Sequence, residues 1–337
     1  MKDTNSPWRD VRKWLPGAII SIVAIFFILQ LANWKDMSLT FASIQPLNLI
    51  LAVIINLIAL AFRAQAWRVL LEYKPGIVNS YLLINLGYFL NNLFPLRAGE
   101  IGRSIFMGRA IKVSPFHVLS TVVIERAFDL AIAAGLLLAT LPMAFGFAWA
   151  KPVAIITLLV VIIALVLLYL VARNNQQVQR WMEKLAGRWG FVKKYIIPRL
   201  GSFFDGLSVL TNPFQFFLSV FWIILTWVFW LVIYYIMLLM IAPHAPVWWA
   251  IFITGIIALG LAIPSAPAGL GVYEAAVVAA ISILDPGITA SVSLAFAIIV
   301  HILQFCITGI FGIICLVREG LSLGSVFTEI KNRGTTQ

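Results

Sequence analysis

Three stretches set ionisable residues, prolines and glycines into otherwise apolar sequence. NLFPLRAGEIGR, residues 92–103, holds Pro95, Arg97, Gly99, Glu100 and Arg103. VIERAFDL, residues 123–130, holds Glu125, Arg126 and Asp129. PSAPAGLGVYE, residues 264–274, holds Pro264, Pro267, Gly269, Gly271 and Glu274. The planar fork of arginine suits a phosphate, and one carboxylate between Arg97 and Arg103 leaves a net positive site. The chemistry expected at the first stretch is therefore capture of an anion, against the alternative of an internal salt-bridge cluster that only holds the chain together. Glu125 and Asp129 are spaced i,i+4 and share a helix face, with Arg126 turned about 100° away. Glu100, Glu125, Asp129 and Glu274 can each serve as structural counter-ion or carry a coupling proton. Metal chemistry is not expected.

These charges must be positioned by membrane helices. The chain of 337 residues is 62% hydrophobic and 11% charged, too apolar for a soluble domain of that length. It reads as an all-α polytopic membrane protein, one transmembrane domain over 1–337. Crossing about 30 Å of hydrocarbon takes roughly 20 helical residues. Spans are expected at about 16–32, 46–66, 115–141, 152–172, 214–241 and 287–317, with the second ending at Arg63 and Arg68. The runs 78–94 with 99–111, and 248–263 continuing to Leu284, are expected to form two re-entrant helical hairpins. With both termini cytoplasmic, nineteen lysines and arginines fall inside, Arg63 among them, and two outside. That asymmetry accounts for the net charge of +11 without nucleic acid. The basic segment at about 173–210 reads as a cytoplasmic amphipathic linker lying on an anionic leaflet.

The order of elements repeats. Residues 16–141 read span, span, hairpin, span, and 152–317 read the same with inverted orientation. Inverted repeats with broken helices are an architecture of secondary transporters. Pro95, Pro264, Pro267 and Gly271 mark the hairpin tips. Proline ends a half-helix, and glycine permits the turn. The half-helices that begin near Gly99 and Gly269 present free N–H groups and a positive dipole end, which favours an anion.

The three motifs together resemble the membrane region of the lysylphosphatidylglycerol synthase/flippase family, which includes YbhN-like and AglD-like integral membrane proteins. Pro95, Arg97, Gly99, Glu100 and Arg103 fit its P-x-R-x-G-E-x-x-R element, and Glu125, Arg126 and Asp129 fit ER-x-x-D. Pro264, Pro267, Gly269, Gly271 and Glu274 fit P-x-x-P-G-G-x-G-x-x-E, with Ala268 where the family often has glycine. The resemblance implies movement of a lipid across the cytoplasmic (inner) membrane. It does not imply lysyl transfer, because the soluble aminoacyl-transferase domain of some members has no counterpart here.

The expected activity is a lipid flippase, not an enzyme. An anionic or phosphate-bearing headgroup would enter a polar cavity between the hairpins, held by Arg97, Glu100, Arg103 and Arg126. The partners expected are membrane lipids, with a homo-oligomer left open and no nucleic acid. Without a phosphate-binding loop no nucleotide or other cofactor is expected, so protons are the candidate energy source. The rivals are a membrane enzyme acting on a lipid or polyprenyl phosphate, and a structural partner in envelope biogenesis. His301 and Gln304 on the last run read as hydrogen-bonding residues between helices.

Overall fold

A computed structural model describes residues 33–94, 97–145, 150–186, 197–262 and 266–324, with Val23, Phe26, Gln30 and Val326. Every regular element among these residues is helical. The first half contains α1 (Trp34–Ala42), α2 (Pro46–Leu70), α3 (Ile77–Leu93), α4 (Ala98–Ala110) and α5 (Pro115–Phe145). There follow α6 (Ala150–Arg173), α7 (Asn175–Ala186), α8 (Ile197–Leu207) and α9 (Pro213–Leu238). The chain closes with α10 (Val247–Ala262), α11 (Val272–Leu284) and α12 (Ala290–Arg318).

Six stretches among the described residues are long and apolar enough to cross a membrane: Pro46–Leu70, Pro115–Ala144, Ile155–Arg173, Pro213–Leu238, Pro267–Leu284 and Ala290–Arg318. Their membership differs from the six expected. The run 16–32 lies outside the described residues except for Val23, Phe26 and Gln30, and Pro267–Leu284 takes its place. That stretch is bent: Ala268, inside the 3-10 turn Pro267–Gly269, has a φ of 60°, and Gly271, just before α11, has a φ of 83°. Along α6, side chains such as Ile156, Val160, Ile163 and Leu167 are exposed, a surface that only lipid would cover at low cost.

Several boundaries move. Helix α2 continues to Leu70, so Arg63 lies inside a helix and not at its end. Helix α5 runs through Pro142, because a proline in the last turn removes one donor without stopping the few residues beyond it. The segment beside Lys35 is a helix, not a bare loop. The Asn33 side chain accepts a hydrogen bond from the Lys35 N–H at 3.0 Å, and Met37 packs with Leu294 and Ala295 of α12. The basic linker contains two helices, α7 and α8, with 187–196 outside the described residues.

The pairings between helices form a pattern. Helix α2 lies against α9, α3 against α12, and α10 against α5. Helix α4 packs on α3 and α5, as α11 packs on α10 and α12. Exchanging α2–α5 for α9–α12 reproduces this set of pairings. Helix α4 has 13 residues, as does α11. At 1.5 Å per residue each is about 20 Å long, well short of a bilayer core.

Close approach of α3 and α4 depends on glycine. A Cβ at Gly99 would overlap the Gly87 carbonyl oxygen, and one at Gly87 would come 2.8 Å from Arg103 Cδ. Gly312 on α12 likewise lets Phe89 of α3 sit where a Cβ would be 2.6 Å away. Gly99→Ala is therefore expected to destabilise the protein by about 1–3 kcal/mol or more, through overpacking against backbone. Gly135→Ala, where a Cβ would meet nothing within 4 Å, is expected to be neutral or stabilising. Thermal unfolding of both variants in detergent checks the pair.

Candidate functional site

The first two motifs converge, with Arg63 of α2, on one continuous chain of ion pairs. Arg103 of α4 donates to Glu125 Oε1 at 2.9 Å, and Arg63 of α2 donates to the same oxygen at 2.6 Å. Arg63 also grips Asp129 through both carboxylate oxygens, at 2.7 and 2.6 Å. Asp129 Oδ2 accepts from Arg126 at 3.1 Å, and Arg126 Nε donates to Glu100 Oε1 at 2.8 Å. Glu100 then faces Arg97 Nη1 at 3.4 Å. Charges alternate along the order Arg103, Glu125, Arg63, Asp129, Arg126, Glu100, Arg97.

Four arginines face three carboxylates, so the chain carries one surplus positive charge when all are ionised. Exposure differs sharply along the chain. The Glu125 and Arg63 side chains are 0% exposed, whereas Arg97 is 43% exposed. Burying an unpaired charge is far more costly than burying a paired one, so the paired members occupy the interior.

Arg97 sits at the first tip in the left-handed region, φ 54° and ψ 40°. Its Nη2 also donates to the Leu261 carbonyl, one of the last acceptors of α10. The first tip is thereby tied to the end of the first helix of the second pair. Asn91 holds the tip from behind, its Oδ1 accepting from the Gly99 N–H at 2.9 Å.

The second tip is built differently. Ala268, Gly269 and Gly271 all have positive φ, at 60°, 71° and 83°. Glu274 Oε2 accepts from the Gly271 N–H at 2.7 Å, and Glu274 Oε1 lies 2.6 Å from His301 Nδ1. His301 Nε2 is 3.1 Å from the Ala268 carbonyl. A carbonyl only accepts, so Nε2 carries hydrogen. The contact between Nδ1 and Glu274 then requires one further proton, on either the imidazole or the carboxyl.

Between the tips lies a cavity of about 370 Å³, in the size range of ligand sites. Arg97, Arg126 and Asp129 line one part, and Ala268, Tyr273, His301 and Gln304 line another. Trp227 and Trp230 add aromatic surface, and Trp227 Nε1 donates to Asp129 Oδ1 at 3.0 Å. No group of three His, Cys, Asp or Glu side chains among the described residues is arranged to hold a metal ion.

The predicted residues thus divide. Arg97 and Arg126 reach the cavity, with Glu100 between them. Arg103 does not line it. It is 1% exposed, packed over the Trp67 ring at 4.8 Å and committed to Glu125. Gly99 and Gly269 shape the two tips. Pro267 lies in the turn before α11, while Pro95 and Pro264 lie outside the described residues.

Arg63 is the principal residue that sequence reasoning placed elsewhere. It is 0% exposed, within the ion chain and inside α2. A signal existed: Asn56 and Arg63 are seven apart, and so share a face of a helix otherwise apolar along that length. His301, read only as a hydrogen-bonding residue, is one, and its partner is the second-tip carboxylate.

Comparison with known proteins is consistent with the motifs. Residues 14–312 match the family described as lysylphosphatidylglycerol synthase TM region. The UPF0104 membrane protein MJ1595 of Methanocaldococcus jannaschii is 22% identical over 326 residues, covering 90% of this chain and 96% of that protein. No solved structure matches the chain.

Removing Glu125 leaves Arg63 and Arg103 without their shared acceptor. Glu125→Ala is expected to cost about 3–5 kcal/mol of stability, or to prevent folding. Lys74→Ala, which breaks an exposed pair with Glu72 at 2.8 Å, is expected to cost at most about 1 kcal/mol. Unfolding midpoints measured side by side in detergent check the contrast.

Proposed function

The chain belongs to the lysylphosphatidylglycerol synthase TM region family and is a multi-pass membrane protein, and from that premise we propose that it is a lipid flippase. The observation that carries this reading is the cavity between the two tips, into which an alternating ion chain delivers its one surplus positive charge at Arg97. An anionic phosphate is the ligand that such a charge favours, and a bidentate guanidinium suits its geometry. The acyl chains would remain in the surrounding lipid while the headgroup crosses through the polar cavity. The protein acts here as a transporter and not as an enzyme, in the cytoplasmic membrane with both termini inside.

The exchange pattern of helix pairings supports an inverted repeat, with α3–α4 and α10–α11 as hairpins that enter from opposite sides. Rocking of one half against the other would then open the cavity to each side in turn. Arg97 hydrogen-bonds the end of α10 across the seam between the halves, so a headgroup that competes for Arg97 would loosen that seam. Substrate binding and opening are coupled through one side chain in this reading.

The coupling proton is assigned to Glu274 and His301. Glu100, Glu125 and Asp129 are each held by arginines and act as counter-ions. The Glu274–His301 pair holds its proton without an arginine, beside the cavity.

Purified protein in proteoliposomes, with fluorescent phosphatidylglycerol and a membrane-impermeant quencher, tests this. Wild type is expected to move lipid faster than protein-free vesicles, and Arg97→Ala to slow it by about tenfold or more, as loss of a charged hydrogen bond implies. Wild-type rates no higher than protein-free vesicles, for any anionic phospholipid under a proton gradient, would sink the reading. Glu274→Gln is expected to keep lipid binding while abolishing acceleration by that gradient. A gradient response equal to wild type would remove the proton assignment alone.

A further inference from the structure

Away from Arg97, the cavity is lined by neutral polar groups, several of which lack partners. Asn56 of α2 is 3% exposed, yet its amide lines the cavity and has no hydrogen-bond partner among the described residues. An amide offers two donors and one acceptor, and leaving them unmet in the interior is costly. Tyr88 lines the same space, with its hydroxyl sealed behind it and without a partner. Gln304 spends its Nε2 on the Tyr234 hydroxyl at 3.5 Å, which leaves its carbonyl oxygen open. Asn92 spends its Nδ2 on Thr308 Oγ1 at 3.2 Å, with the same consequence.

This set accepts hydrogen bonds as well as donating them, which a bare phosphate cannot use. Nor is it suited to a cation. Asp129 is the carboxylate among the residues lining the cavity, and both of its oxygens are already engaged, Oδ1 by Arg63 and Trp227, Oδ2 by Arg63 and Arg126. The Trp230 ring, a candidate cation–π face, already has the Arg63 guanidinium 5.9 Å from its centroid. The surplus positive charge of the ion chain opposes an ammonium further.

We infer that the transported lipid bears a neutral, hydroxyl-rich group on its phosphate, a polyol or a sugar, in place of an amino headgroup. This rests on the flippase reading and narrows it. Phosphate would meet Arg97 and Arg126, while hydroxyls would meet the Asn56, Asn92 and Gln304 amides. Hydroxyls both donate and accept, which matches amides with open carbonyls and open N–H groups.

The test is native mass spectrometry of the full chain in detergent. It uses an equimolar mixture of dioctanoyl phosphatidylglycerol, phosphatidic acid, phosphatidylethanolamine and lysylphosphatidylglycerol. Phosphatidylglycerol is expected to be retained about fivefold to tenfold above phosphatidic acid, the gain from one or two neutral hydrogen bonds. Both amino lipids are expected to fall below phosphatidic acid. Asn56→Leu, and separately the near-isosteric Gln304→Met, should bring phosphatidylglycerol down to the phosphatidic acid level. Arg97→Ala should lower both. Amino lipids retained as well as phosphatidylglycerol, or phosphatidylglycerol unaffected by either amide substitution, would overturn the inference while leaving the phosphate site standing. Retention of every lipid unchanged by Arg97→Ala would overturn the site itself and the inference with it.

Discussion

An arginine inside a membrane fold must find a carboxylate, a carbonyl or water, because hydrocarbon offers it nothing. Arg63 and Arg103 meet that constraint by sharing Glu125, and much of the rest of the structure follows from it. The shared carboxylate draws together α2, α4 and α5, which bear Arg63, Arg103 and Glu125. Glu125 alone cannot balance two arginines, so Arg63 takes Asp129 as well, and Asp129 in turn draws in Arg126. The sequence of pairings ends where Arg97 emerges into the cavity. A buried ion pair is weak evidence of net stability, but a chain of them fixes which helices lie together and in what register.

The two tips solve one backbone problem by different means. Chain reversal inside a helical bundle leaves N–H and carbonyl groups without helical partners. At the first tip, Asn91 accepts from the Gly99 N–H, and the absence of a Cβ lets that glycine lie against Gly87. At the second, Glu274 accepts from the Gly271 N–H, while positive φ at Ala268, Gly269 and Gly271 turns the chain. The first tip is thus dominated by fixed charge and the second by a carboxyl–imidazole pair. That difference gives the two sides of one cavity different chemistry.

Symmetric pairing of the helices coexists with this chemical asymmetry. Helices α2 and α9 pack together, yet α2 brings Asn56 and Arg63 to the interior, where α9 brings Trp227 and Tyr234. The aromatic side contributes bulk and two donors, and the polar side contributes charge and an open amide. The cavity thus presents charged, amide and aromatic chemistry on separate surfaces.

Much of this was legible in the chain itself. Apolar run length located α2, α5, α6, α9 and α12, because hydrocarbon thickness sets helix length. Local motif chemistry marked Arg97, Glu100, Arg126, Asp129 and Glu274, because ionisable residues rarely stand in such runs without a purpose. Glycine and proline placed both turns, since few other residues tolerate them. Pairing was not legible. Nothing in the sequence says that Arg63 shares Glu125 with Arg103, that Glu274 meets His301 across 27 positions, or that the Arg97 guanidinium reaches the Leu261 carbonyl. Helical periodicity specifies which face of a helix is polar, but not which other helix that face will meet. That choice belongs to the tertiary structure, where the cost of an unpaired charge in low dielectric favours the packing in which Arg63, Arg103 and Glu125 pair with one another.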